Sequence, residues 1–158
     1  MTSSANHEVS GTVPRLPEDL AENLGAVRLT QLALEAVGEL ESYRAEFRLP
    51  GGSEGYGFRM LLTLLAYAYA RGVYSSVELA ERIVSDADLR YLATGDRPSP
   101  TVLRQFRRQQ GRLIRAALGQ ILVLATKEPA PTGWFRGESE ASRRLELAMA
   151  ADSYALDC

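Results

Sequence analysis

Four arginines in the middle of the chain, Arg104, Arg108, Arg112 and Arg115, are spaced to share one side of a helix. Wound at about 100° per residue from Arg104, the other three fall at about 40°, 80° and 20°. Val102, Leu103, Phe106, Leu113, Ile114 and Ala117 fall opposite, and Arg107 lies at the border. A guanidinium is a planar fork of donors that fits phosphate oxygens and the edge of guanine. A helix with an apolar back and such a front can dock on a core and present cations to a polyanion. Solvated faces usually mix signs, but residues 97–127 hold six Arg, Lys127 and no acid. The competing interpretations are a plain solvated face or a site for an acidic protein. Arg also makes up 17 of the 18 basic residues, so compositional bias contributes.

The whole-chain charge conceals this block. The 158 residues carry 18 Lys+Arg against 20 Asp+Glu, net −2. Residues 1–96 hold 8 Arg and 14 acids, and residues 128–158 hold 3 Arg and 6 acids, so the basic stretch is flanked by acidic ones. Such flanks limit non-specific adhesion and favour a short, local contact. The length suits one domain plus tails.

Other chemistry is scarce. Cys158 stands alone and His7 is the single histidine, so no disulfide, His–Cys metal site or His-based triad is expected. Asp86 and Asp88 beside Glu78 and Glu81 are expected to stabilise helix starts rather than form a carboxylate site. Tyr67, Tyr69 and Tyr74 are expected to pack in the core with their hydroxyls at its edge rather than stack on bases. Gly51-Gly52-x-x-Gly55 lacks the preceding strand and following Lys-Ser/Thr of a phosphate loop. Trp134-Phe135 is either a docking pair or a core cover. The first residues do not read as a signal peptide, and the apolar run Met60–Ala70 is too short to span a membrane. A cytoplasmic protein with no cofactor, metal, membrane or small-molecule substrate is the expectation.

The elements that would position the basic stretch follow from capping and periodicity. Residues 1–15 are polar and expected to be disordered. Pro17-Glu18-Asp19 opens a helical pattern running to about Tyr43. Residues 50–55 form a loop by composition, and Phe58–Arg71 is apolar on nearly all sides, the mark of a buried helix closed by Gly72. Ser75 to Glu78 has capping-box spacing, Ser85 or Asp86 caps a short helix ended by Gly95, and Ser99-Pro100 starts a helix from Thr101 to about Leu118. Ile121–Leu124 is either β-like or an extension of that helix. Residues 128–137 are Pro/Gly-rich, and Ser139–Asp152 reads as a last helix with Leu145, Ala148 and Met149 on one side. The fold class is therefore all-α: five or six helices with a helix-turn-helix-like trio at 75–118. The division is a tail at 1–15, a helical domain at 16–127, and a linker with a final helix at 128–158.

Several motifs recur together. They are Leu16-Pro17-Glu18-Asp19, Gly55-Tyr56-Gly57-Phe58-Arg59-Met60-Leu61-Leu62, Gly72-Val73-Tyr74-Ser75-Ser76, Leu92-Ala93-Thr94-Gly95, Arg97-Pro98 and Phe106-Arg107-Arg108. In this order they resemble the N-terminal helical domain of InsH-like insertion-sequence transposases, over about residues 16–119. The resemblance implies an all-helical module that helps bind element ends, placed in the family before an RNase-H-like core with an Asp-Asp-Glu triad holding two divalent metals. Phe58 departs from the family's Pro, and Gln109-Gln110 from its His. That core is not expected in the residues that follow 119. Tyr154-Ala155-Leu156-Asp157 is only faintly similar to its first strand, and one carboxylate cannot hold two metals.

These observations together predict a non-enzymatic protein that binds duplex DNA, such as element ends. Thr101, Arg104, Gln105 and Arg108 would face the groove, and Arg97, Arg107, Arg112 and Arg115 would contact phosphates. A homodimer is compatible with paired element ends. The alternative is a regulatory module that binds a transposase or another protein.

Overall fold

A helix that is apolar all round has to be enclosed on all sides. The computed structural model, which describes residues 16–43, 52–126 and 131–157, encloses one such helix. Among those residues there are eight helices and no strand, an all-α fold. They are α1 (Ala21–Leu24), α2 (Ala26–Tyr43), α3 (Gly52–Ala70), α4 (Ser76–Ser85), α5 (Ala87–Leu92), α6 (Pro100–Gln109), α7 (Gly111–Thr126) and α8 (Pro131–Asp157). From Met60 to Ala70 every residue of α3 except Leu61 is buried. Helix α7 is the second central element, packed on α2, α3 and α8, with Ile114, Ala117, Leu118, Ile121 and Leu122 buried. Helices α4, α5 and α6 gather at one end, where α4 touches both others and α5 and α6 reach α3.

The count exceeds the five or six expected because two long patterns are each interrupted. Gly25 divides α1 from α2 at φ +87°, a backbone conformation that glycine adopts without a steric penalty. Gln110 divides α6 from α7 at φ −120°, ψ 32°. Gly111, a weak helix former, follows at once and lies against Leu145 of α8. The expected helix 101–118 is thus two helices, and one helical wheel no longer relates Arg104 and Arg108 to Arg112 and Arg115. Ile121–Leu124 is helical. Helix α3 begins at Gly52, inside the expected loop, and α8 begins at Pro131, inside the expected linker. Tyr154–Asp157 continues α8 and is not a strand. Residues 1–15 lie outside the described part of the chain, as do the side chains of Trp134 and Phe135.

The end of α3 is where most of the fold is tied together. The last carbonyls of a helix have no partner within it. Here the Arg144 guanidinium of α8, fully buried, donates to the carbonyls of Tyr69 (2.7 Å) and Ala70 (3.2 Å). It also donates to the carbonyls of Pro17 (2.9 Å) and Glu18 (2.8 Å), and its Nε to Glu140 (2.9 Å). The Leu20 amide adds a bond to the Ala70 carbonyl at 3.1 Å. Gly72 then turns the chain at φ +78°, and any Cβ there would stand 3.0 Å from the Glu18 carbonyl oxygen. Met149, expected on the buried side of α8, is exposed, and Asp152 takes that side instead.

Beside this point Tyr67 and Tyr74 pack as expected, whereas the Tyr69 hydroxyl is buried rather than at the edge of the core. Tyr67 donates from its hydroxyl to Asp88 and Tyr74 from its hydroxyl to Glu18. Arg71 bridges Asp88 (2.7 Å) and Asp19 (3.1 Å), and Asp19 also accepts from the Ala21 amide. Burial raises the Asp88 carboxyl, but the bonds from Tyr67 and Arg71 outweigh it and hold the group below its ordinary value. The Tyr74 bond lowers Glu18, and in Glu140 the bonds from Arg143 and Arg144 overcome burial to lower it too. Burial raises Tyr67 and Tyr74, and pushes Tyr69 up to about 12.

Two outcomes follow. Replacing Arg144 with Ala strands buried carbonyls from two segments, and should lower the urea-unfolding free energy by about 3–5 kcal/mol. Arg144→Lys should recover only part of that, because one ammonium cannot span the same acceptors. The second concerns pH. Carboxyls lowered in the folded state stabilise it above their ordinary values and lose that contribution as pH falls through the folded ones. Tyrosines raised in the folded state stabilise it below their ordinary value and lose that as pH rises. The urea midpoint should therefore be flat between about pH 5 and 9 and fall on both sides. Asp88→Asn should lower the midpoint at pH 7 much more than at pH 3.

Candidate nucleic-acid interface

The start signals in the 75–118 region position α4 and α6. Ser75 Oγ accepts the Glu78 amide at 3.3 Å, and Ser99 Oγ accepts the Val102 amide at 3.2 Å with Pro100 in the first turn. Asp86 stands at the start of α5 but makes no side-chain cap bond; its carboxylate pairs with Arg82 instead. Gly95, at φ +87°, follows α5, and an extended segment leads to Ser99.

Helix α6 divides between core and solvent, with Val102, expected on its apolar back, exposed instead. Leu103, Phe106 and Arg107 are buried. Phe106 meets Phe58 of α3 edge to face, centroids 5.1 Å apart, a favoured aromatic geometry. Phe58 is the residue that departs from the resembled family's Pro, so here the departing side chain seats α6. On the other side, Thr101, Gln105 and Arg108 are exposed and Arg104 is half-buried. Spacings of three, four and seven residues put these four on one face. It is the set expected to face a groove.

The expected phosphate contacts separate into different places. Arg97, before α6, is exposed. Arg112 is exposed and Arg115 half-buried, both on α7 beyond the break. Arg97, Arg108 and Arg115 make no ion pair among the described residues. Arg107 corrects the expectation. Its side chain is 9% exposed and its Nη1 donates to Asp152 Oδ2 of α8 at 2.5 Å. A guanidinium so held is a packing element and not a cation presented to solvent. The border position on the helical wheel was the only warning.

Sequence reasoning missed the groups that hold this end of α6. Asp152 is buried and also accepts from Ser76. The Tyr69 hydroxyl is buried without a hydrogen-bond partner among the described residues, in the field of Arg107 and Asp152. A signal existed for Asp152: Ala141, Leu145, Ala148 and Asp152 recur at helical spacing, so an acid completes the apolar stripe.

Among the described residues, no three or more His, Cys, Asp or Glu are grouped to hold a metal, and no helix is long and apolar enough to cross a membrane. A family model described as Transposase domain (DUF772) matches residues 20–109. It runs from just before α1 to the end of α6, so α7 and α8 lie beyond it. No curated protein and no solved structure matches the chain.

The two neighbouring arginines should respond oppositely to truncation. Arg107→Ala leaves Asp152 buried and unpaired and should cost about 3–5 kcal/mol in stability. Arg108→Ala touches only solvent and should stay within about 0.5 kcal/mol. Urea titrations of the two variants, read by circular dichroism, test this. Equal effects would mean that Arg107 is not buried as described.

Proposed function

Because this chain belongs to the transposase domain family DUF772, we propose that its transposase-related role is to bind duplex DNA through the solvent face of α6. One observation carries the reading. Thr101, Arg104, Gln105 and Arg108 share the face of α6 opposite the buried Leu103 and Phe106, inside the span that matches the family. Arginine forks suit guanine edges, a glutamine amide suits adenine, and a hydroxyl accepts or donates to either. A helix with a core-facing back and such a front has the make-up of a recognition helix, and the short helices α4 and α5 before it give the order of a helix-turn-helix.

Arg97, Arg112 and Arg115 supply the phosphate contacts. Arg107 is left out of the set, because its charge is already satisfied by Asp152. The face offers guanidinium, amide and hydroxyl groups, which hold nucleic acid; cutting it requires carboxylates arranged to bind metal. Binding without cleavage is therefore the activity assigned to residues 20–109. No acid interrupts residues 97–127, which supports an anionic ligand, and the acidic flanks favour a short footprint.

Fluorescence anisotropy with a labelled duplex tests the proposal. Log affinity should fall linearly with log salt, with a slope of about −0.9 for each phosphate neutralised. Arg97→Ala and Arg115→Ala should each reduce the slope by about one contact. Arg104→Ala combined with Arg108→Ala should weaken binding by about 2–6 kcal/mol if both arginines read base edges. No binding at about 50 mM salt with protein at about 10⁻⁴ M would overturn the DNA reading.

A further inference from the structure

On the solvent face of α6 the half-buried Arg104 has its guanidinium held from behind. Its Nη1 donates to Ser76 Oγ at 3.0 Å, and its Nη2 to Thr101 Oγ1 at 3.4 Å. Ser76 is the first residue of α4 and is buried. Its hydroxyl has one proton, and that proton goes to Asp152 Oδ1 at 2.9 Å, so the oxygen's lone pairs face Arg104. The Ser76 amide donates to the same carboxylate oxygen, also at 2.9 Å. The other oxygen, Oδ2, accepts from Arg107. Asp152 itself is 2% exposed and belongs to α8, some forty residues past the end of the family match.

We infer that Asp152 is a positioning residue for DNA recognition, orienting Arg104 through the Ser76 hydroxyl. The inference rests on the DNA reading proposed above. The carboxylate decides which way the hydroxyl points, and the hydroxyl's acceptor side fixes one arm of the Arg104 fork. Thr101 fixes the other. A guanidinium has five N–H donors; two are used here, and the remaining three stay open to a base edge or phosphate. A fork held in advance loses less rotamer freedom on binding than one free in solvent. Arg107 on the adjoining turn is pinned by the same carboxylate, so the backbone carrying Arg104 is held as well. Asp152 touches no DNA in this scheme; it acts through Ser76 and Arg104. The recognition unit therefore extends beyond the matched residues and includes the last helix.

A double-mutant cycle on the full chain separates this relay from simple support of the fold. Ser76→Ala deletes the relay oxygen and leaves the Asp152–Arg107 pair in place. It should weaken duplex binding about tenfold, the scale of one lost bond to a charged group, at a temperature where circular dichroism shows the variant folded. In an Arg104→Ala background the same change should have no further effect. Asp152→Asn should weaken binding at least as much as Ser76→Ala, because it loosens Arg107 as well. Glu140→Gln, on the same helix but in the Arg143 and Arg144 contacts, should leave affinity unchanged. Full affinity in Ser76→Ala, or an equal loss with Arg104 already removed, overturns the inference. If the wild type binds no duplex, the functional proposal fails separately, and NMR of the Arg104 guanidinium still decides the relay. Slow rotation of its Nη groups in the wild type that becomes fast in Ser76→Ala supports the relay. Identical spectra overturn it.

Discussion

The carbonyls at the end of α3 are the constraint on which the rest of the fold depends. A central helix buried on all sides delivers its last acceptors into the interior, where water cannot reach them. Arg144 meets that demand with several donors on one rigid plane, and the same plane collects the carbonyls of Pro17 and Glu18. One side chain thereby joins the entry to α1, the exit of α3 and the last helix. Neutral donors would satisfy the acceptors one at a time. A cation at a helix C-terminus also complements the helix dipole. Its own charge is balanced by Glu140, whose carboxyl is held ionised by Arg143 and Arg144.

A second polar cluster, around Asp152, passes this order on to the proposed DNA-binding end. Helix α8 carries both Arg144 and Asp152 on its buried side, eight residues and about two helical turns apart. The first grips the end of α3, and the second grips the start of α4 and the inner face of α6. Phe58 and Phe106 complete the seat of α6 from the direction of α3. The position of α6 therefore depends on helices both inside and beyond the matched span. A buried carboxylate with three donors is more exacting in direction than an apolar contact, which makes it suited to fixing the angle of a side chain.

Much of this was legible in the residues. The buried character of α3, the caps at Ser75 and Ser99, the turn at Gly72 and the apolar back of α6 depend on nearest neighbours and on periodicity. The family resemblance over residues 16–119 is matched by the transposase-domain model at 20–109. The break at Gln110 was not legible, because Arg104 to Arg115 keeps a helical pattern and the interruption coincides with packing against α8. Arg107 and Arg108 look alike in sequence, and Arg144 looks like a solvated cation beside Arg143. Which of each pair is buried depends on where an acceptor from a distant element arrives.

The sequence by itself determined that the chain is helical, where α4, α5 and α6 start, and that one stretch is basic without any acid. Those properties follow from local propensity, capping and composition. Only the tertiary structure decided which arginines stay available. It placed Arg107 and Arg144 inside the protein, because Asp152 and the carbonyls closing α3 need partners there, and left Arg97 and Arg108 in solvent. Burying a guanidinium is favourable only where several acceptors converge on it, and convergence from residues 17, 69, 70 and 140 on residue 144 is a property of three dimensions.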